Sequence, residues 1–157
     1  MIIVLLLLQY NLQRFSPFGE VQIIDVGQGD SILIILPFNR DNYLIDTGGQ
    51  ITFPTDKWAL KRKKFNTADD IIIPLLKSKG IHQLDKLILT HPDADHMGSA
   101  KELIDNFKVA EIIIGGWSEE QYRDMDLVTV ASEKKVKMTV LKRGDQCVAG
   151  GARFAVL

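Results

Sequence analysis

The sequence has little of three features that often reveal a function: cysteine, net charge and long apolar runs. Its one cysteine, Cys147, cannot form an internal disulfide, and no histidine follows it to act as the base of a nucleophile. The formal net charge of −1 excludes an overall positive field that would recruit nucleic acid, so such binding would need a local patch. The length of 157 residues and the 46% hydrophobic content fit one globular domain with a sizeable core.

The apolar run Met1–Leu8 is too short to cross a bilayer, which takes roughly 20 residues. It also lacks the positive start and the cleavage site of a secretory signal. Arg14, Phe15 and Phe18 follow it, and basic and aromatic residues are favoured at a membrane–water interface. We therefore expect residues 1–19 to be the end of a transmembrane helix plus a connector. A first buried strand at Met1–Leu8 is the alternative, since short apolar runs are ambiguous.

The remaining residues, 20–157, show a β pattern first and then strands alternating with helices. Three short strands joined by turns are typical of an antiparallel meander, and the later alternation predicts a mixed α/β (α+β) fold. The predicted strands are Glu20–Ile23, Ser31–Leu36, Tyr43–Ile45, Leu87–Leu89, Ile112–Ile114, Val136–Leu141 and Phe154–Leu157. Four helices are predicted: one from Asp69 or Asp70 to Gly80, one over Ser99–Phe107, a weak one from Ser118 or Glu119 to Met125, and one over Asp126–Glu133.

Four potential metal donors lie within the six residues His91–His96, and they are His91, Asp93, Asp95 and His96. The segment leaves a buried strand and precedes a helix, a position in which a rigid strand presents functional groups on a loop. Imidazole and carboxylate suit Zn, Mn or Fe, and two ions roughly 3.5–4 Å apart can carry out a hydrolysis. The alternative is that the aspartates merely cap the following helix.

The pattern His-x-Asp-x-Asp-His-x-Gly of residues 91–98 resembles the His-x-His-x-Asp-His motif of metallo-β-lactamase-fold hydrolases, with Asp93 where most carry histidine. Upstream, Asp25-Val-Gly-Gln-Gly-Asp30 and Leu44-Ile-Asp-Thr-Gly48 resemble the opening of that domain in the ComEC family of competence membrane channels, which import DNA. The resemblance covers about residues 20–116. It implies that residues 20–157 form the first half of a four-layer αβ/βα sandwich that follows a transmembrane bundle.

The resemblance also implies roles for individual residues. His91 and Asp93 would be ligands of one metal ion, and Asp95 and His96 ligands of a second, with Asp95 also orienting the attacking water as the catalytic residue. Asp46 would support a ligand loop through hydrogen bonds. Two further aspartates, Asp25 and Asp30, would shape the neighbouring turn; for all three supporting aspartates, turn capping is an equal alternative.

The sequence departs from the family in its histidines. The family completes its site with further histidines and a bridging aspartate downstream, whereas this chain has only His82, His91 and His96. We therefore expect the chain to hold the first half of the site, to bind metal weakly and to catalyse nothing alone. The complete domain would hold two divalent ions, Zn or Mn, and the extra carboxylate of Asp93 shifts the preference toward hard ions.

A basic run, Lys61, Arg62, Lys63 and Lys64, lies near Lys57 and Trp58 and would fit a DNA backbone. A solvated surface loop is the alternative.

The function that the resemblance implies is that of a competence protein whose metal-dependent hydrolase domain, a nuclease, acts on DNA during uptake. Its partners would be DNA, the membrane and other competence proteins, and it would lie at the cell membrane with this domain on the extracellular face. One alternative is a hydrolase of the same fold acting on a small ester or phosphodiester. Another is a non-catalytic module that guides DNA.

Overall fold

The computed structural model describes residues 12–49, 65–116 and 126–156. Most strands of these parts join one six-stranded sheet; they are β1 (Glu20–Ile23), β2 (Ile32–Ile35), β3 (Asn42–Ile45), β5 (Lys86–Leu89), β7 (Glu111–Ile114) and β8 (Lys137–Val140). Two short pairs stand beside it: β4 (Gln83–Leu84) with β6 (Lys108–Val109), and β9 (Gln146–Ala149) with β10 (Ala152–Ala155).

The helices in the described parts are short. They are α1 (Ile73–Ser78), α2 (Ala94–Met97), α3 (Ala100–Asn106) and α4 (Asp126–Glu133), with 3₁₀ turns at Leu12–Phe15 and Pro37–Asn39 and a π-helical turn at Ala68–Ile72. Pro74 lies at the start of α1, directly after the π-helical turn Ala68–Ile72. None of these helices is long and apolar enough to cross a membrane. The helix predicted between Ser118 and Met125 falls outside the described residues.

The sheet has the order β1-β2-β3-β5-β7-β8 and changes character at β3. Strands β1, β2 and β3 pair antiparallel, whereas β3/β5, β5/β7 and β7/β8 pair parallel. Parallel neighbours need crossover connections, which here contain α1, then α2 and α3, then α4. The predicted meander followed by α/β alternation is therefore confirmed. The carboxyl ends of the parallel strands β3 and β5 meet at one edge, which places residues 46–49 beside residues 90–96.

One face of the sheet carries the main core. Leu33, Leu44, Leu87 and Ile112 stand opposite one another across four neighbouring strands, and all are fully buried. The helices cover this row with Ile72, Leu76, Leu103, Ile104, Leu127 and Val130. Burying each such side chain contributes about 1.5–3 kcal/mol, so the strands that precede the site loops are firmly held.

The opposite face carries a cross-strand charge cluster centred on Glu111 of β7. Lys86 on β5 and Lys137 on β8 both donate to its carboxylate, the latter at 2.8 Å, and the Thr139 hydroxyl donates at 2.6 Å. The Glu111 side chain is 15% exposed, so the carboxylate is largely withdrawn from water. Its three donors supply the compensation that a buried carboxylate requires.

This cluster predicts an acid-sensitive contribution to stability. Burial raises the pKa of Glu111, but hydrogen bonds from Lys137, Lys86 and Thr139 outweigh it and bring the pKa down from 4.5 to about 2. A carboxyl whose folded pKa is lowered stabilises the fold above its unfolded pKa and loses that contribution as the pH falls through the folded value. Allowing for the exposure of Lys137, we expect Glu111 to contribute about 2 kcal/mol above pH ~5 that is lost toward pH ~2.

Urea unfolding of the chain and of Glu111→Gln at several pH values checks this expectation. The difference in unfolding free energy between the two proteins should be largest near neutral pH and shrink steadily below pH ~4. A difference that stays constant down to pH ~2 would show that the ionised carboxylate is not what stabilises the cluster.

Candidate metal centre

Three loops meet at the sheet edge where β3 and β5 end: residues 25–30, 46–49 and 90–98. Backbone hydrogen bonds join all three loops directly. The connecting hydrogen bonds run from Thr47 N to the His96 carbonyl (2.6 Å), from Gly48 N to the Asp30 carbonyl (2.9 Å) and from Gly49 N to the Gln28 carbonyl (3.2 Å). The approach leaves no room for a side chain at Gly29, whose added Cβ would overlap the carbonyl of Asp95.

Asp46 lies beneath this junction and is the best-connected carboxylate in it. Its backbone is left-handed, with φ +56°, and its side chain is 5% exposed. Oδ1 accepts the backbone N–H of Thr90 at 2.9 Å. Oδ2 accepts the Thr90 hydroxyl at 2.6 Å and lies 3.0 Å from Nδ1 of His96. A left-handed non-glycine residue costs roughly 1–2 kcal/mol, and these contacts offset that cost.

The four residues predicted as metal ligands lie above Asp46. His91 Nε2 is 3.7 Å from Asp93 Oδ2, and His96 Nε2 is 3.7 Å from Asp95 Oδ2. The two imidazole rings lie against each other, with centroids 3.6 Å apart. Asp93 occupies the N-cap position of α2 without making a side-chain capping hydrogen bond. Its exposed carboxylate is therefore available to a ligand rather than committed to the helix.

The donors form two overlapping groups. One is Asp46, His91 and His96, and the other is His91, Asp93 and Asp95; within each, one potential ligand atom per residue lies within 4.8 Å of the others. Imidazole nitrogen and carboxylate oxygen are the donors that Zn and Mn accept. The residues present therefore fit a divalent metal. Both oxygens of Asp46 already have hydrogen-bond partners, as the supporting role that the resemblance implies would require; that role stays a prediction.

The electrostatic environment favours a cation. Burial lowers the pKa of His96, but the hydrogen bond to Asp46 and the charges of Asp46, Asp95 and Asp30 outweigh burial and raise that pKa above its usual range. The same negative field that favours a proton on the imidazole also attracts a metal ion. Asp30 is exposed at the end of its loop and acts on His96 through its charge. Asp25 instead caps the turn, because its Oδ1 accepts the backbone N–H of Gly27 at 3.1 Å.

Sequence reasoning missed three hydroxyl residues at this site. The Thr90 hydroxyl lies between Asp46 and His91, Thr47 Oγ1 donates to the His96 carbonyl at 3.2 Å, and Ser31 Oγ donates to the Asp46 carbonyl at 3.0 Å. Thr90 had a usable signal, since it is the last residue between a buried strand and the first histidine. Ser31 and Thr47 carried no such signal, because their partners lie 15 and 49 residues away in the chain.

The basic run Lys61–Lys64 lies outside the described residues. His82 is exposed and belongs to neither donor group found among the described residues.

Known proteins that are similar in sequence to this chain include two bacterial proteins. The chain is 40% identical over 142 residues to ComE operon protein 3 of Bacillus subtilis, an alignment that covers 90% of this chain and 18% of that protein. It is 35% identical over 101 residues to Recombination protein 2 of Haemophilus influenzae, covering 64% of this chain and 11% of that protein. The chain thus spans less than a fifth of the length of either relative, and these matches confirm the predicted resemblance to the ComEC family.

The family comparison covers the whole of the junction described above. The model of the metallo-beta-lactamase superfamily matches residues 24–146, which include all three site loops and the sheet from β2 to β8. The predicted α/β fold is confirmed, and the chain belongs to the metallo-beta-lactamase superfamily.

Proposed function

We propose that the chain is the metal-binding part of a competence protein, and that the complete domain is a metal-dependent nuclease acting on DNA during uptake. The observation that carries this proposal is the pair of imidazoles, His91 and His96, set over the buried carboxylate of Asp46 and flanked by Asp93 and Asp95. In a ComEC-like domain of the metallo-beta-lactamase superfamily, such a centre fits two divalent ions, zinc or manganese.

In this proposal the residues of the centre have separate roles. His91 and Asp93 hold one ion, Asp95 and His96 the other, and Asp46 keeps the loop beneath them in place. Bound divalent ions supply a water nucleophile at neutral pH and stabilise negative charge on the attacked group. Asp95 is the catalytic residue of this proposal, because its half-buried carboxylate lies beside His96 Nε2, where it can accept a hydrogen bond from the attacking water.

DNA is proposed as the substrate from the likeness to the ComEC family, together with the basic run Lys61–Lys64. The centre itself is negatively charged, so a phosphodiester needs cations both in the site and beside it. Bound metal ions would supply the cations in the site. The basic run would supply further cations, which contact the DNA backbone.

A placement at the cell membrane, with this domain on the extracellular face, belongs to the same proposal, as do contacts with other competence proteins. The membrane placement alone is supported by the exposure of Phe15 and Phe18, 61% and 78%, beside the exposed Arg14. Exposed aromatic and basic side chains of this kind suit a membrane interface. Protease treatment of intact cells carrying a tagged protein would test the orientation: cleavage in this domain without lysis is the expected result, and protection would contradict it.

A non-catalytic module that guides DNA is the second candidate. The observation that favours it is that hydrogen bonds already hold the loop junction, from Thr90 to both oxygens of Asp46 and between the backbones of the three loops. Such a module would still bind DNA but would not need its metal donors to do so.

Substitution in a naturally competent cell, with the variant as the sole copy, separates the two candidates. His91→Ala and Asp95→Ala should each lower transformation and strand degradation by about tenfold or more, because each removes a metal donor. The control is His82→Ala, which removes an exposed histidine outside the centre. Wild-type transformation and degradation in both donor variants, at equal protein levels, would reject the nuclease and support the guiding module.

A further inference from the structure

We propose that Thr90 is a positioning residue, whose hydroxyl connects the buried Asp46 carboxylate to His91 so that one carboxylate sets the tautomer of both histidines. The inference deepens the proposed function, because it rests on the same metal centre. It concerns protons that are already in place before any metal binds. It can therefore be tested in the metal-free chain.

The first step is the direction of the Thr90 hydroxyl. Oγ1 lies 2.6 Å from Oδ2 of Asp46, and an ionised carboxylate only accepts hydrogen bonds, so the single hydroxyl proton points to Asp46. The backbone N–H of Thr90 donates to the other carboxylate oxygen at 2.9 Å. Although Thr90 is exposed as a whole, this double attachment holds its hydroxyl in one orientation.

The second step follows for His91. Nδ1 of this ring lies 2.8 Å from Thr90 Oγ1. Since the hydroxyl proton is already donated to Asp46, the hydroxyl can only accept at this contact, and Nδ1 must carry the proton. Nε2 of His91 is left with its lone pair free, on the side that faces Asp93 at 3.7 Å.

The third step applies the same reasoning to His96 without an intermediary. Nδ1 lies 3.0 Å from Oδ2 of Asp46, so this nitrogen also donates, and Nε2 is free beside Asp95. Both histidines thus present Nε2 to a metal, and neither needs to move its proton before binding. Hydrogen bonding at the second ring nitrogen is how proteins fix the tautomer of a metal-binding histidine.

Nuclear magnetic resonance of the metal-free 157-residue chain, labelled with ¹⁵N in its imidazoles, tests this directly. In the pH range where the spectra show neutral imidazoles, we expect the protonated Nδ1 tautomer for both His91 and His96. His82 is exposed and provides an imidazole outside the centre for reference. Thr90→Val keeps the branched shape but removes the hydroxyl; it should release His91 from this tautomer while His96 keeps it. Thr90→Ser should restore His91.

Zinc titration of the same proteins gives the second measurement. Thr90→Val should weaken the binding of Zn²⁺ by about 10–100-fold, and Thr90→Ser should recover most of that loss. A proton on Nε2 of His91 in the wild type, or an unchanged tautomer in Thr90→Val, would overturn the inference.

The two proposals fail separately. Nδ1 protonation of both rings without any zinc binding would support the Thr90 connection and contradict the proposed metal centre. Tight zinc binding by the wild type, together with a Thr90→Val variant whose His91 tautomer and zinc affinity are unchanged, would support the metal centre and contradict the Thr90 connection.

Discussion

His96→Ala is expected to reduce the affinity of the chain for Zn²⁺ or Mn²⁺ by about 100-fold or more, since even partners of metal ligands contribute 10–100-fold. The substitution removes the free Nε2 donor and also a hydrogen-bond donor to the buried Asp46. Asp46 keeps both contacts from Thr90, so the loop junction should still form. Isothermal titration with each ion measures the loss, and circular dichroism reports whether the chain remains folded.

The matched control is His82→Ala. His82 is exposed and lies outside both donor groups, so its removal should leave affinity within about twofold of the wild type. Equal losses in the two variants would mean that metal binds to histidines in general and that the centre has no special role.

Gly29→Ala is expected to disrupt the same centre through the backbone. Gly29 has φ +85°, and a Cβ there would overlap the backbone carbonyl of Asp95, so the two loops must separate. Because backbone cannot yield as a side-chain end can, we expect a cost of about 3 kcal/mol or more in unfolding free energy, together with weaker metal binding. Urea unfolding and metal titration measure the two effects.

Gly27→Ala separates this overlap from ordinary backbone strain. Gly27 belongs to the same loop and has a similar φ, +80°, but nothing lies within 4 Å of its added Cβ. Only the left-handed conformation is penalised there, by roughly 1–2 kcal/mol. Equal destabilisation by the two variants would mean that the approach of Gly29 to Asp95 does not hold the loops together.

The sequence predicted the sheet well where local pattern and burial agree. The strands around Leu33, Leu44, Leu87 and Ile112 appear in the sequence as apolar runs. Their residues favour extended backbone, and their side chains are fully buried in the core, so local propensity and packing indicate the same structure. The π-helical turn at Ala68–Ile72 was not predicted, since the sequence pattern there indicates a helix without distinguishing its hydrogen-bond spacing. The charge cluster around Glu111 was equally hidden, because cross-strand partners are set by register between strands far apart in sequence.

The candidate metal centre was likewise predictable from the sequence only in part. The donors from His91 to His96 lie in one short segment, so composition and spacing were enough to select them. The contacts that orient them come from Asp46 and Thr90, and they exist only because β3 and β5 are parallel neighbours whose carboxyl ends coincide. A pattern within one segment cannot report that proximity. The ligand roles of all four residues, His91, Asp93, Asp95 and His96, stay predictions.

Anomalous X-ray diffraction at the zinc or manganese absorption edge, from crystals of the chain grown with that ion, tests the central claim most directly. The account predicts a peak about 2.0–2.3 Å from Nε2 of His91 or His96, with a carboxylate oxygen of Asp93 or Asp95 at similar distance and Asp46 outside the coordination sphere. A peak elsewhere on the chain, or coordination through Nδ1 of either histidine, would contradict it.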